Sequence, residues 1–271
     1  MARPAVPRVS VVVPALNEAR HLELVLPALP AVHEVILVDG GSVDATVSTA
    51  RRLRPDIRVI RQGREGRGGA LAAGFAEVTG DVVVILDADG GADPDEIPRL
   101  VHALVDGADL AKGTRFRAGS GSHGVTRIRR LGNAVLNRLV NRVHGKELSD
   151  LCYGFSAFWA DLMPVLGLPD RNRPASRHDA RVWSDGFEIE TVINYRFAVA
   201  GAAIAEVPSV ERPLPRGLSN LHAVPDGLRV LRTLVTEWQR VRAENHLVLH
   251  PSGHDDARPR PEQATRGTVA S

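Results

Sequence analysis

Four strand-length runs in the first ninety residues, each followed by a polar cluster and then a helical pattern, leave this chain little choice of architecture. Residues 8–13 form a near-continuous β-branched run that is expected to break at Pro14, and residues 18–29 then carry Leu22, Val25, Leu26 and Leu29 at helical spacing. Residues 34–38 repeat the pattern ahead of a helix over 43–53, residues 57–61 ahead of one over 68–78, and residues 82–86 are wholly apolar, as a central strand should be. Asp93 then suits an N-cap, Pro94 the first helical position and Glu96 the third, and 110–113 reads as a strand. Such alternation predicts an α/β fold, a mostly parallel sheet flanked by helices.

Past residue 115 the pattern loosens. Residues 126–143 read as an amphipathic helix with arginines and asparagines on one side, 155–159 as a strand, 169–181 as a polar loop, 187–200 as a helix, 203–207 as a strand and 226–241 as a helix. A single domain is expected over 1–249, followed by a disordered tail over 250–271, where Pro, Arg, Asp, Gly and Thr take over.

Composition excludes several function classes. A net charge of +2 implies no general affinity for nucleic acid, and of 34 basic residues only Lys112 and Lys146 are lysine. The lone Cys152 excludes an internal disulfide and a cysteine metal cluster, and is expected to be a buried, inert thiol. No stretch approaches the roughly 20 apolar residues of a spanning helix. The first strand follows the N-terminus almost at once, so a cytoplasmic location without a signal peptide is expected. The 226–241 helix gathers Leu228, Leu231, Val235 and Trp238 with arginines elsewhere, a pattern that suits packing on its own domain, a homodimer contact or peripheral contact with a membrane.

In an open parallel sheet, ligands bind beyond the C-terminal ends of the strands. The polar clusters Pro14-x-x-Asn17-Glu18, Asp39-Gly-Gly-Ser42-x-Asp44 and Asp87-Ala88-Asp89 fall at three such ends, so one pocket can collect them. Two carboxylates one residue apart after a buried strand suit a hard divalent cation whose shell is completed by phosphate and water. Alone, the pair could equally terminate a strand and cap a turn.

Taken together these motifs, with Gly66-Arg-Gly68-x-Ala70, Lys112-Gly-Thr-Arg115, Ser149-Asp150-x-x-x-Gly154-Phe155, Gly186-Phe-Glu188-Ile-Glu190, Glu206-Val-Pro208 and Gly217-Leu-Ser219-Asn220, resemble family 2 glycosyltransferases of GT-A fold, over about residues 8 to 240. The branch resembled contains polyprenyl-phosphate sugar synthases. The resemblance implies a nucleotide-sugar donor, UDP- or GDP-linked, and Mg²⁺ or Mn²⁺ as cofactor. It assigns Pro14, Leu16, Glu18 and Asp39 to the base and ribose, with Ser42 and Asp44 shaping that wall. Asp87, beside Ala88, would contact ribose or metal, and Asp89 would ligate the metal on the diphosphate. Arg115 and Arg130 resemble basic residues facing the donor diphosphate or an acceptor phosphate.

Transfer by single displacement would invert the anomeric centre. An alcohol acceptor needs a general base, whereas a phosphate acceptor does not. Asp150 is the first candidate base, with Asp185 and Glu188 behind it, although Asp150 also suits an N-cap or loop and Glu188 a helix start. The branch commonly carries Arg-x-x-Gly-x-Ser-Lys near its end. Here Arg212 and Arg216 flank Pro-Leu-Pro, and Asn220 replaces the lysine. That departure favours a small-molecule acceptor, with polyprenyl phosphate at a membrane surface as the alternative. Arg216 remains a candidate substrate contact and His222 a further metal ligand or a solvated histidine. A nucleotide-sugar pyrophosphorylase would show a Gly-rich signature where Pro14-Ala-Leu-Asn-Glu18 stands, and a non-catalytic binding protein has no need of both Asp87 and Asp89.

Overall fold

The computed structural model describes residues 3–63, 66–122, 125–168, 188–212 and 223–249. The polar loop at 169–181, Asp185, Arg216, His222 and the 250–271 tail lie outside them. Among the described residues, those up to 234 form one compact unit and those from 235 onward another.

Seven strands build the sheet of the first unit: β1 Val9–Ala15, β2 Glu34–Asp39, β3 Arg58–Arg61, β4 Val82–Ile85, β5 Leu110–Thr114, β7 Ser156–Trp159 and β8 Ile204–Pro208. Their order is β3-β2-β1-β4-β7-β5-β8, with only β7 antiparallel to its neighbours β4 and β5. The expected mostly parallel α/β sheet is therefore present, and the wholly apolar β4 lies at its centre. Two short segments, β6 Gly121–Ser122 and β9 Val210–Glu211, pair separately and carried no apolar signal.

Period-two alternation sends each strand's side chains to two cores. Val11, Val13, Val82 and Val84 join Leu22 and Val25 of helix α1 (Ala19–Val25) and Ile97, Leu100 and Leu104 of helix α4 (Ile97–Val105). Val12, Ile36, Val83, Ile85 and Phe158 face helix α3 (Gly66–Phe75) and helix α6 (Glu188–Val199) through Leu71, Phe75, Val192, Ile193 and Phe197. Phe158 meets Phe75 edge-on at 5.5 Å between centroids. Gly74 lets α3 lie close on β1 and β2, since a Cβ there would collide with Val12 Cγ1 and fall 3.1 Å from Val38 Cγ2. Among the described residues the other α-helices are α2 (Thr46–Leu53), α5 (Arg127–His144) and α7 (Ala223–Leu249).

Two expectations fail locally. Pro14 does not end β1, which continues to Ala15 in register with Asp39 of β2. The backbone of Val12 bonds toward β4, so Pro14 turns the same way, past the point where pairing with β4 stops at Ile85; its missing N–H therefore costs no ladder bond. The helix expected over 18–29 ends at Val25, because Pro27 supplies no N–H to continue the ladder.

Glu34 ties the sheet's near edge together. Its carboxylate accepts bonds from Ser10 Oγ (2.7 Å), the Thr79 N–H (2.7 Å) and Arg58 Nη1 (2.8 Å). Burial alone would raise its pKa, but these donors outweigh it and hold the group down at about 2. A depressed carboxylate contributes stability above its unfolded value and loses it as pH falls through its folded value. Glu34→Gln is expected to cost about 1–3 kcal/mol at neutral pH. Urea melts should also show acid destabilisation flattened between about pH 4.5 and about 2.

Candidate active site

The ends of β1, β2 and β4 open into one cleft of about 240 Å³, lined by Pro14, Leu16, Glu18, Gly40, Arg67, Asp87 and Asp89 among others. Its wall is hydrogen-bonded across two loops. Asn17, at φ +58°, turns back so that its N–H donates to Ser42 Oγ (2.9 Å) while its Oδ1 accepts from the Val43 N–H (2.9 Å). The Glu18 N–H donates to Thr46 Oγ1 (2.8 Å), and Asp44 accepts from the Ala19 N–H (3.3 Å). Asp39 accepts from the Ser42 N–H (3.0 Å). Ser42 and Asp44 thus spend their polar groups fastening the loop that carries Leu16 and Glu18.

Asp87 and Asp89 stand side by side on the cleft floor. Burial first, and the neighbouring Asp87 charge second, push the Asp89 carboxyl up to about 6, against the Gly91 N–H at 2.8 Å and the more distant Arg67. Of the two, Asp89 has no cation in direct contact, and the pair offers the hard oxygen donors that Mg²⁺ or Mn²⁺ takes. Among the described residues no cluster of three or more His, Cys, Asp or Glu side chains is poised for a metal; phosphate oxygens and water would supply the remaining positions.

Arg67, within the Gly66-Arg-Gly68 motif, has no role that the sequence pattern assigns. Its guanidinium spans the cleft, bonding Asp87 on one side and Glu190 of α6 on the other. Burial drives Glu190 up to about 7, with Arg67 opposing and Asp87 reinforcing the shift. Gly154 makes room for this pair, because a Cβ there would lie 2.8 Å from Glu190 Cγ and 3.3 Å from Arg67 Nη2. Of the two glutamates in the Glu188-Ile-Glu190 motif, Glu190 faces the cleft residues, while Glu188 opens the helix. An arginine in a Gly-rich stretch and an acid two residues inside a helix were the only sequence signals for this contact.

A second, basic cleft lies at the same edge of the sheet, lined by Arg115, Phe116, Arg117, Arg130, Asn133, Ala134 and Ser149. Strands β4 and β5 run the same way with β7 between them, so Asp87 and Arg115 leave the sheet roughly 10 Å apart. Arg115 and Arg130 both sit over the Phe116 ring, each with Cζ 5.5 Å from its centroid.

Asp150 lies beneath this cleft, fully buried and outside the lining of either cleft. Its carboxylate accepts from Arg115 Nε (2.8 Å), Arg115 Nη2 (3.0 Å), the Arg115 N–H (3.1 Å) and Asn133 Nδ2 (3.1 Å). Four donors and no route to solvent describe a positioning group for Arg115. The fully buried Lys112, its pKa drawn down by burial, donates to the Asp150 carbonyl. Cys152, expected to be buried, is half-buried, and burial raises its thiol pKa. Removing the Asp150 charge strands buried cations, so Asp150→Asn should lower unfolding free energy by roughly 3–5 kcal/mol in denaturant titration. A general base at this position would instead lose turnover with stability intact.

Comparison with known proteins agrees with this geometry. The description of glycosyl transferase family 2 matches residues 10–166. A Mycobacterium tuberculosis protein described as an uncharacterized glycosyltransferase is 32% identical over 213 residues, 79% of this chain and 89% of its own. An undecaprenyl-phosphate 4-deoxy-4-formamido-L-arabinose transferase of Yersinia pestis is 32% identical over 155 residues, covering 53% of this chain and 46% of that one. The crystal structure of M. tuberculosis glucosyl-3-phosphoglycerate synthase with Mg²⁺ and uridine diphosphate aligns with TM-score 0.64 and 26% identity, over 86% of this chain and 79% of that one. An α/β sheet with acidic residues at its central strand end and a family match over more than half its length show that this chain belongs to glycosyl transferase family 2.

Proposed function

We propose that the chain transfers a sugar from a uridine diphosphate sugar, with Mg²⁺ or Mn²⁺, to an acceptor that carries a phosphate or similar anion. The observation behind this reading is the placing of an acidic cleft and a basic cleft side by side at one sheet edge. Nucleotide and metal are inferred from the synthase complex with Mg²⁺ and uridine diphosphate.

In this reading Pro14, Leu16, Glu18 and Asp39 hold the base and ribose, with Ser42 and Asp44 bracing them. Asp89, with Asp87, would hold the cation, which supplies charge stabilisation for the departing diphosphate. Ala88 sets the two carboxylates apart on the same turn. Arg67 holds Asp87 in place through its second contact to Glu190. Arg115 and Arg130 present guanidinium donors to the acceptor's anionic group, which then attacks the anomeric carbon opposite the leaving group. An anionic acceptor oxygen needs no proton removed, consistent with an Asp150 carboxylate committed to Arg115. Arg216 and His222 keep their proposed roles as substrate contact and metal ligand on sequence grounds alone.

A small phosphorylated acceptor and a polyprenyl phosphate share this anion. The altered 212–220 segment favours the small acceptor, and the Yersinia relative favours the lipid. Among the described residues, no helix is long and apolar enough to cross a membrane.

Calorimetric titration with UDP and GDP, with and without Mn²⁺, tests the donor assignment. UDP should bind in a metal-dependent way and Asp89→Ala should abolish that dependence. Binding of neither nucleotide under any condition would reject the assignment.

A further inference from the structure

Helix α5 has two unlike faces. The inward face packs Leu136 and Val140 and directs three asparagines at the loop below: Asn133 Nδ2 to Asp150, Asn137 Oδ1 to the Leu151 N–H at 2.9 Å and Asn141 Nδ2 to the Leu148 carbonyl at 2.8 Å. Its outward face carries Ile128, Leu131, Val135, Leu139 and Val143, between 45% and 66% exposed. Steps of three and four residues align these five side chains in one stripe along the helix. Single exposed aliphatics are ordinary, but a contiguous stripe over four turns marks an interaction surface.

Charge identifies the occupant. Arg127, Arg138 and Arg142 project at the edge of the stripe and within it, and the helix contains no acidic residue. The helix carries five arginines in all, in a chain whose net charge is only +2. Two copies joined through this face about a two-fold axis would set arginine against arginine with no carboxylate from the helix between them. An apolar stripe bordered by arginines instead matches a surface that offers acyl chains beneath negatively charged headgroups.

We propose that the outward face of α5 docks on an anionic lipid membrane. The opposite side of the same helix supplies Asn133 and Ala134, and its first turn Arg130, to the basic cleft. Docking would therefore hold that cleft close to the membrane surface. The inference stands on the helix surface alone and does not depend on the nature of donor or acceptor.

Flotation of the full chain with phosphatidylcholine vesicles, with and without phosphatidylglycerol, tests it. Binding is expected only to the anionic vesicles and should weaken at high salt. Arg138→Gln with Arg142→Gln should weaken it by roughly 30-fold, and Leu131→Ser with Leu139→Ser should abolish it. Both pairs lie on the exposed face outside either cleft, so thermal melts and nucleotide affinity should match the unaltered chain. No flotation, or equal flotation with both vesicle types, would overturn the proposal. So would sedimentation showing a lipid-free dimer that the leucine pair dissociates, which would make the face a self-association surface.

Discussion

The Asp150 carboxylate, sealed from water and bound by four donors, is the interaction on which the geometry of both clefts depends. A buried carboxylate is tolerable only when its charge and lone pairs are matched, and Arg115 and Asn133 do this from two different elements. The pairing fixes the 149–155 segment against β5 and α5. At its far end that segment presents Gly154, the small residue that admits the Arg67–Glu190 contact. One short segment thus aligns the guanidinium of the basic cleft and the arginine that steadies Asp87 in the acidic one.

Strand order explains why the two clefts share an edge. Chain reversal into β7 inserts an antiparallel strand between β4 and β5 without turning either of them around. The loop entering β7 therefore starts on the side where β4 and β5 deliver Asp87 and Arg115. A parallel strand in that place would have sent the loop to the opposite edge and left the basic residues without their buried counter-charge.

Much of the fold was legible in the sequence because strands buried on both faces are written as continuous apolar runs. The central place of β4 followed from Val82-Val-Val-Ile85 alone. The acidic cleft was legible for a related reason: polar clusters placed directly after such runs have nowhere to go but the sheet edge. The break expected at Pro14 fails because a proline's cost depends on whether its missing N–H had a partner, which is a property of the neighbouring strand. Arg67 and Glu190 were harder, since 123 residues separate them and neither pattern nor propensity records a tertiary ion pair. Asp150 reads in the sequence as a candidate base, and the structure encloses its carboxylate with four donors; burial of that kind is invisible to local sequence.

The central claim is that Asp87 and Asp89 form the floor of a nucleotide–metal cleft next to a basic acceptor cleft. A crystal of the protein grown with UDP and Mn²⁺ tests it most directly, because anomalous scattering locates manganese independently of the nucleotide. The account predicts manganese on the Asp89 carboxylate, the uracil and ribose between Pro14 and Asp39, and the diphosphate turned toward Arg115. Manganese and nucleotide bound elsewhere, with Asp87 and Asp89 left facing solvent, would contradict it.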